Sequence, residues 1–422
     1  MVRTGSGSAD GAAACQTFTP REWRLVALMS TCTFLTVVNF TALVPFLAEV
    51  ADDLDSSVPL VGQTATVLTI FSAALGLVVG PLADLRGHRR LLLVGIVAVA
   101  ANLAGSALAP SLPVLLLVAL VGAAGDSLLF GLPLAVVSDH LRGGLRRRAV
   151  ALVFGGLSIG VVTAPPLLAM LGRLVGWRGA LLLAAAATLA VLVPTRAMLP
   201  PDPTPTSAIS LRALGDTYRP LLGSRPTLGL LAASGARAAG LIGALAYFGA
   251  YVTEQLGGDA GMVAAAYLVF GLGVLSGNLF ASRMPAHWSL RGLTAALAVG
   301  SSLVFGGAVL LQPPAAVAAM LVALSGFASA IAGVGVATLV SQASPAGTGT
   351  TMVLNGSLIN LGIGLGAAAG GFAIARAGYP ALGLVVPLLT IPAAVLVLAA
   401  VPRNRPAPRV PEAAEPEPSV TG

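Results

Sequence analysis

Charged residues punctuate this chain at intervals that suit membrane crossings. No Asp, Glu, Arg or Lys occurs from Leu25 to Ala48, Ser56 to Ala83, Leu91 to Gly125, Ala149 to Gly172 or Ala260 to Ser282. The stretches Gly292 to Ala375 and Ala377 to Pro402 are uncharged too, the first long enough for three crossings. A helix needs about 20 apolar residues to cross the hydrocarbon, and only elements that satisfy their own backbone can do so. The alternation of a transmembrane barrel is absent. The pattern predicts an all-α integral membrane protein of twelve transmembrane helices in two six-helix bundles. Loop signals and Pro/Gly punctuation place the spans near 24–48, 59–83, 91–109, 112–137, 149–172, 178–199, 227–252, 261–282, 292–311, 314–340, 350–375 and 380–402.

Composition agrees. Of 422 residues 56% are apolar and only 9% charged, against about 25% charged in a soluble domain, and mean hydropathy is +0.93. The net charge of +7 does not imply a nucleic-acid partner, because all 23 basic residues are Arg and most sit in short loops. Cys15 and Cys32 offer no disulfide framework or metal cluster. The three His, at 88, 140 and 287, lie in basic loops unmatched to carboxylates, and no P-loop is present. An enzyme, an ATP-driven pump and a bound cofactor or metal are therefore not expected. The first apolar run is too long for a removable signal peptide and lacks its cleavage site.

The expected organisation is a disordered tail at 1–21, an N-terminal bundle at 22–199, a Pro-rich polar linker at 200–226, a C-terminal bundle at 227–402 and a second disordered tail at 403–422. Arg21, Arg86, Arg89, Arg90, Arg142, Arg146, Arg147, Arg148, Arg196, Arg212, Arg219, Arg225, Arg283 and Arg291 fall on one side. The other side holds Arg173, Arg178 and Arg376 with acidic Glu49, Asp52, Asp53, Asp55, Glu254 and Asp259. By the positive-inside rule the Arg-rich side and both termini are cytoplasmic. Gly76 and Gly80 in the second span recur as Gly273 and Gly277 in the eighth, an offset of 197 (273 − 76) that suits a six-plus-six duplication.

Between the second and third spans runs Gly80-Pro-Leu-Ala-Asp84-Leu-Arg86-Gly87-His88-Arg89-Arg90. Gly87 permits a tight turn, and Asp84 at a helix end can pair across to another helix. This segment resembles the signature loop of the major facilitator superfamily, although Leu85 stands where that family usually has a basic residue. Ser138-Asp139 followed by Arg146-Arg147-Arg148 resembles the family's loop after span four. The resemblance implies that Gly80, Asp84, Arg86, Gly87, Arg89, Arg90, Asp139 and Arg148 form a cytoplasmic latch. Gly156-xxx-Gly160 followed by Pro165-Pro166 resembles the span-five motif of proton-driven exporters, with Ala164, Leu168 and Ala169 in place of that motif's glycines. Gly176-Trp177-Arg178, and Asn360-Leu-Gly362-xxx-Gly366-xxx-Gly370-Gly371 in span eleven, are similar to elements of the same drug- or metabolite-exporter branch. Gly156, Gly160, Pro165, Gly362, Gly366 and Gly370 are implied to serve packing. Where many relatives carry an Arg in span four, about four residues before a Gly, this chain has Val118 before Gly122.

What it has instead is Asp126 near the middle of span four and Arg237 near the middle of span seven. A charge at that depth costs about 2.5–3.5 kcal/mol even on a lenient scale and so needs a partner or a water-filled cavity. Counting about 12 and about 10 residues from their cytoplasmic ends, at about 1.5 Å each, gives similar depths. In the fold implied by the resemblance, spans one, four, seven and ten line a central cavity, so a cross-cavity pair is geometrically reasonable, and an Asp126 satisfied by Ser127 and neighbouring amides is the other reading. Asp126 is the candidate for proton uptake or for holding a cationic substrate. Asn39, Tyr247, Tyr251, Ser325 and Ser329 are candidate polar contacts.

The resemblance implies a monomeric secondary transporter in the plasma membrane of a bacterium. It would export small lipophilic or amphipathic compounds, drug- or antibiotic-like, in exchange for protons by alternating access. Its partners would be substrate, protons and the lipid bilayer, without nucleic acid. Export of polar metabolites such as sugars or nucleosides is the alternative. A transporter-like membrane sensor is the remote one, and would be expected to add a soluble domain that tails of about 20 residues cannot supply.

Overall fold

The protein, seen in a computed structural model, is described at residues 18–141, 143–199, 218–221, 223–281, 283–284, 290–345 and 348–401. Most of the expected linker and nearly all of both expected tails lie outside these residues. Among the described residues eleven helices are long and apolar enough to cross a membrane. Span 1 starts at Pro20, where Thr19 and Glu22 form a capping box: the Glu22 amide donates to Thr19 Oγ1 and the Thr19 amide to Glu22 Oε2. It runs as Pro20–Thr41, a 3₁₀ turn Val44–Phe46 and Leu47–Asp53. Span 2 is Val58–Arg86, span 3 His88–Leu108 and span 4 Leu112–His140.

Spans 5 and 6 share one continuous assignment, Gly143–Ala190, continued by Leu192–Met198. A straight helix over Arg148–Met198, 51 residues, would be about 77 Å long, far more than a bilayer. Gly176 breaks it, with φ 73° and ψ 166°. Before it, Gly156 lies on Ser30 and Gly172 on Phe46, so the chain runs parallel to span 1. After it, Arg178 donates to the Ala107 carbonyl at 2.7 Å, and far beyond, Arg89 donates to the Arg196 carbonyl at 2.9 Å. The chain has reversed, and the eleven helices make twelve crossings.

Span 7 is also interrupted: Arg225–Arg237, a π-helical turn Ala238–Ile242, Gly243–Leu245 and Phe248–Glu254. Then follow span 8, Ala260–Ala281, span 9, Leu290–Leu311, span 10, Ala315–Ala343, span 11, Thr348–Ala377, and span 12, Tyr379–Ala400.

The two halves repeat one another in detail. Span 2 packs on span 11 and span 8 on span 5, pairs that interchange when six is added or subtracted. Gly156 and Gly160 meet span 1 at Ser30 and Val37, and Gly362 and Gly366 meet span 7 at Gly235 and Ala239. These small residues let backbones touch, at an offset of 206 (362 − 156). The pair at offset 197 is not equivalent in packing: Gly273 lies on Ala323 of span 10, whereas Gly76 faces Ser357 of span 11.

The turns repeat as well. Gly176 and Gly378 both take φ near 70° with extended ψ, a region open essentially to Gly alone. The aromatic residue after each donates to the carboxylate that ends the opening span of its half. Trp177 Nε1 reaches Asp53 at 2.9 Å and Tyr379 Oη reaches Glu254 at 3.1 Å. Arg178 adds an ion pair to Asp53 at 3.3 Å. Gly176→Ala and Gly378→Ala are each expected to cost about 1–3 kcal/mol, read as a lower thermal unfolding midpoint in detergent. Unchanged midpoints would mean that the turns accept a side chain.

Candidate functional site

Between the two halves lies a cavity of about 890 Å³. Its walls come from spans 1, 2, 4 and 5 on one side and 7, 8, 10 and 11 on the other. It reaches Ser341 in the last turn of span 10 and Met352 near the start of span 11, so it opens toward the Arg-rich end. The opposite end is shut. There Gly249 presses on the Val44 carbonyl and Pro45, where a Cβ would come within 2.6 Å. Tyr247 Oη, on span 7, donates to the Ala367 carbonyl of span 11 at 2.9 Å and accepts from Gln63 Nε2 of span 2 at 3.2 Å. Arg173 of span 5 pairs with Asp259 before span 8 at 3.7 Å. All of these but the Tyr247–Ala367 bond join one half to the other.

Asp126 and Arg237 both line the cavity, 6% and 8% exposed. Asp126 Oδ2 accepts a hydrogen bond from Ser72 Oγ at 2.6 Å, and Ser72 Oγ accepts one from Asn360 Nδ2 at 3.3 Å. This chain runs from span 4 through span 2 into span 11, so it crosses between the halves. Arg237 Nη1 donates to Ser329 Oγ at 3.3 Å, and its Nε has no partner among the described residues. Asp126 and Arg237 do not form an ion pair: among the described residues no carboxylate lies within 4.0 Å of Arg237. The two charges stand on opposite halves of the cavity wall.

Four candidate contacts lie away from the cavity lining. Asn39 donates from Nδ2 to the Gly122 carbonyl at 3.1 Å and accepts from Asn102 at 2.9 Å, tying spans 1, 3 and 4 together. Tyr247 is fully buried in the closed end. Ser325 is fully buried and donates to Val322 in its own helix at 2.8 Å. Tyr251 likewise turns to the Val309 carbonyl. Ser329 does line the cavity, as does Pro165, for which only packing was expected. Ser72 was missed, as were the lining residues Thr36, Thr69, Tyr267 and Asn278. Asn360 was noticed only as part of a motif. A neutral hydroxyl in an apolar helix gives no signal that separates it from one bonded to its own turn.

At the Arg-rich end, Gly87 turns the chain with φ 80°. His88 Nε2 lies 3.8 Å from Asp139 Oδ2, linking the loop between spans 2 and 3 to the end of span 4. Arg86 is exposed, and Arg148 stacks over Phe18 at 5.5 Å. These contacts, with that of Arg89 to Arg196, lie within the N-terminal half. The helix carries Gly80 and Asp84, and the Asp84 side chain lies outside the described residues, as do those of Arg146 and Arg147 and the whole of Arg142.

With this geometry in place, the relatives fall into line. The family model described as Major Facilitator Superfamily matches residues 29–352. A Pseudomonas aeruginosa PAO1 protein named Transcription regulatory protein OpdE is 28% identical over 373 residues, 85% of this chain and 89% of that one. The solved structure of a D-xylose-proton symporter has a TM-score of 0.70 at 15% identity, over 90% of this chain and 98% of its own. The human organic anion transporter MFSD10 (TETRAN) has a TM-score of 0.62 at 20% identity, over 90% and 100%. At such identities the two structures speak for the fold alone, and the family rests on the model match across most of the chain. The chain belongs to the major facilitator superfamily: it is a multi-pass membrane transporter and not an enzyme.

Proposed function

We propose that this protein is a proton-coupled exporter of small amphipathic compounds, acting as a monomer in a bacterial plasma membrane with both termini in the cytoplasm. The observation that supports this most is the cavity itself. Its walls are largely apolar, with Phe40, Phe130, Phe154, Phe270 and Ile363 among them, and they hold one buried carboxylate and one buried guanidinium on opposite halves. A volume of about 890 Å³ suits a drug-sized ligand. The Arg-rich end, toward which it opens, is the cytoplasmic one by the positive-inside rule. Rocking the halves about the midplane exposes the same groups to the other side. Gly80, Asp84, Arg86, Gly87, Arg89, Arg90, Asp139 and Arg148 then latch the cytoplasmic end when it closes.

Inverted vesicles with an acid interior, reported by a quenched fluorescent base, test the reading. Adding a transported amphiphile is expected to release the quench in vesicles holding the protein and not in empty ones. Responses confined to sugars or nucleosides would favour the polar-metabolite alternative, for which Asn278 and Asn360 in the walls are the supporting residues.

A second reading draws on the printed name of the Pseudomonas aeruginosa relative, a transcription regulatory protein. On that reading the cavity senses a ligand and the halves rock without net flux. Ligand binding with no flux, together with a ligand-dependent change in gene expression that a deletion abolishes, would favour it.

A further inference from the structure

We infer that Arg237 seats the anionic head of the substrate, which makes the ligand a monovalent organic anion with an apolar body. The inference rests on the transport reading above and narrows its substrate class. A guanidinium carries five N–H donors, and among the described residues that of Arg237 meets one partner, Ser329 Oγ at 3.3 Å. The side chain is 8% exposed, lines the cavity, and has no carboxylate within 4.0 Å among the described residues. A full positive charge held this way is costly unless an anion joins it. The nearest acid in the same cavity, Asp126, is engaged by Ser72 on the other half.

Span 10 packs against the guanidinium with no side chain between them. Gly333 of span 10 faces it, and a Cβ there would sit 3.3 Å from Nη2 and 3.4 Å from Cζ. A side chain at this position would crowd Nη2, and Arg237 itself borders the cavity. Beyond it the walls are apolar, formed by Ile242, Leu245, Phe270, Val274 and Ile363. One guanidinium matches one negative charge. A phosphate dianion would call for further Arg donors, and Arg237 is the only Arg in the cavity wall among the described residues.

The test uses the full chain purified in lipid nanodiscs and isothermal titration with three probes of one shape: naphthoate, naphthamide and naphthylmethylamine. Wild type is expected to bind the carboxylate about 10-fold or more tighter than the amide or the amine, the scale of one charge-assisted hydrogen bond. Arg237→Gln should erase that preference while keeping amide binding, which shows that the cavity is intact. Arg237→Lys should restore part of it, since a lysine offers the charge without the planar fork. Equal binding of all three probes by wild type, or a carboxylate preference that survives Arg237→Gln, would overturn the assignment. So would loss of amide and carboxylate together in both variants, which would make Arg237 a structural group. The vesicle assay separates this failure from that of the transport reading. A neutral amphiphile carried by wild type with no carboxylate preference overturns the anion seat alone, whereas no binding and no flux of any amphiphile overturns both.

Discussion

Asp126→Asn is expected to lower transport driven by a pH gradient by about 100-fold or more, the scale on which loss of a proton-transferring group reports, while substrate counterflow without a gradient continues near the wild-type rate. The variant is nearly isosteric, and its carbonyl oxygen can still accept the Ser72 hydroxyl that now lies 2.6 Å from Oδ2. What it loses is the ability to change charge. Asp126 is 6% exposed in a wall shared with Phe130, so an ionised carboxylate costs free energy whenever closure of the cavity removes water from it. A proton lifts that cost. On the proposed mechanism, closure in wild type depends on proton occupancy, and closure in the variant does not. Retained counterflow is the informative part, because a merely misfolded protein would lose both activities. Full gradient-driven transport by the variant would place the coupling group elsewhere. Ser72→Ala keeps the acid and removes one hydrogen bond to it, so its effect should be smaller, in keeping with about 1.5–3 kcal/mol for a hydrogen bond to a charged group.

The reach of the sequence here follows from physics. Charge-free stretches located the spans because a helix of fixed rise must cross a hydrocarbon layer of fixed thickness. Asp126 and Arg237 were legible as cavity groups because a buried charge has few places to go. Their pairing was not, since residue counts give depth along a helix and not distance across a cavity. Asn39 and Ser325 show the same limit for neutral groups. Span 10 is apolar on every side, so its rotation about its own axis left no trace in the pattern, and Ser325 met its need inside its own turn. Asn39 found Asn102 and a backbone carbonyl between helices. The break in span 1 had a visible cause in Pro45. The π-helical turn after Arg237, packed against spans 11 and 12, had none. The duplication was legible at Gly76 and Gly273, yet the structurally equivalent glycines are those at 156, 160, 362 and 366, whose partners on spans 1 and 7 share no sequence motif.

Those close crossings set the other large effect, on stability. A Cβ added at Gly366 would land on the Ala239 carbonyl oxygen, well inside van der Waals contact, and one at Gly156 would land on the Ser30 carbonyl. Backbone cannot swing aside as a side-chain tip can, so spans 7 and 11, or 1 and 5, must part. Forced expansion of a packed interface costs about 1–3 kcal/mol and at times more, and here it also forfeits contacts along the whole crossing, since Gly235, Gly243 and Gly362 share the seam with Gly366. Gly366→Ala is therefore expected to cost about 3 kcal/mol or more, with Gly156→Ala close behind. Gly155 is the natural control. It adjoins Gly156 in the same helix, yet a Cβ there would meet no atom within 4 Å. Gly155→Ala should be neutral or should stabilise by up to about 1 kcal/mol, because alanine loses less conformational freedom on entering a helix. Cys32 supplies the readout. Its thiol is fully buried, and in a Cys15→Ser background it is the chain's single cysteine, so labelling by a thiol-reactive dye on heating reports unfolding. Opposite shifts for the two neighbouring glycines would locate the stabilising contact at the crossing itself. Equal shifts would mean that helix propensity governs both positions and that the two backbones are not held together there.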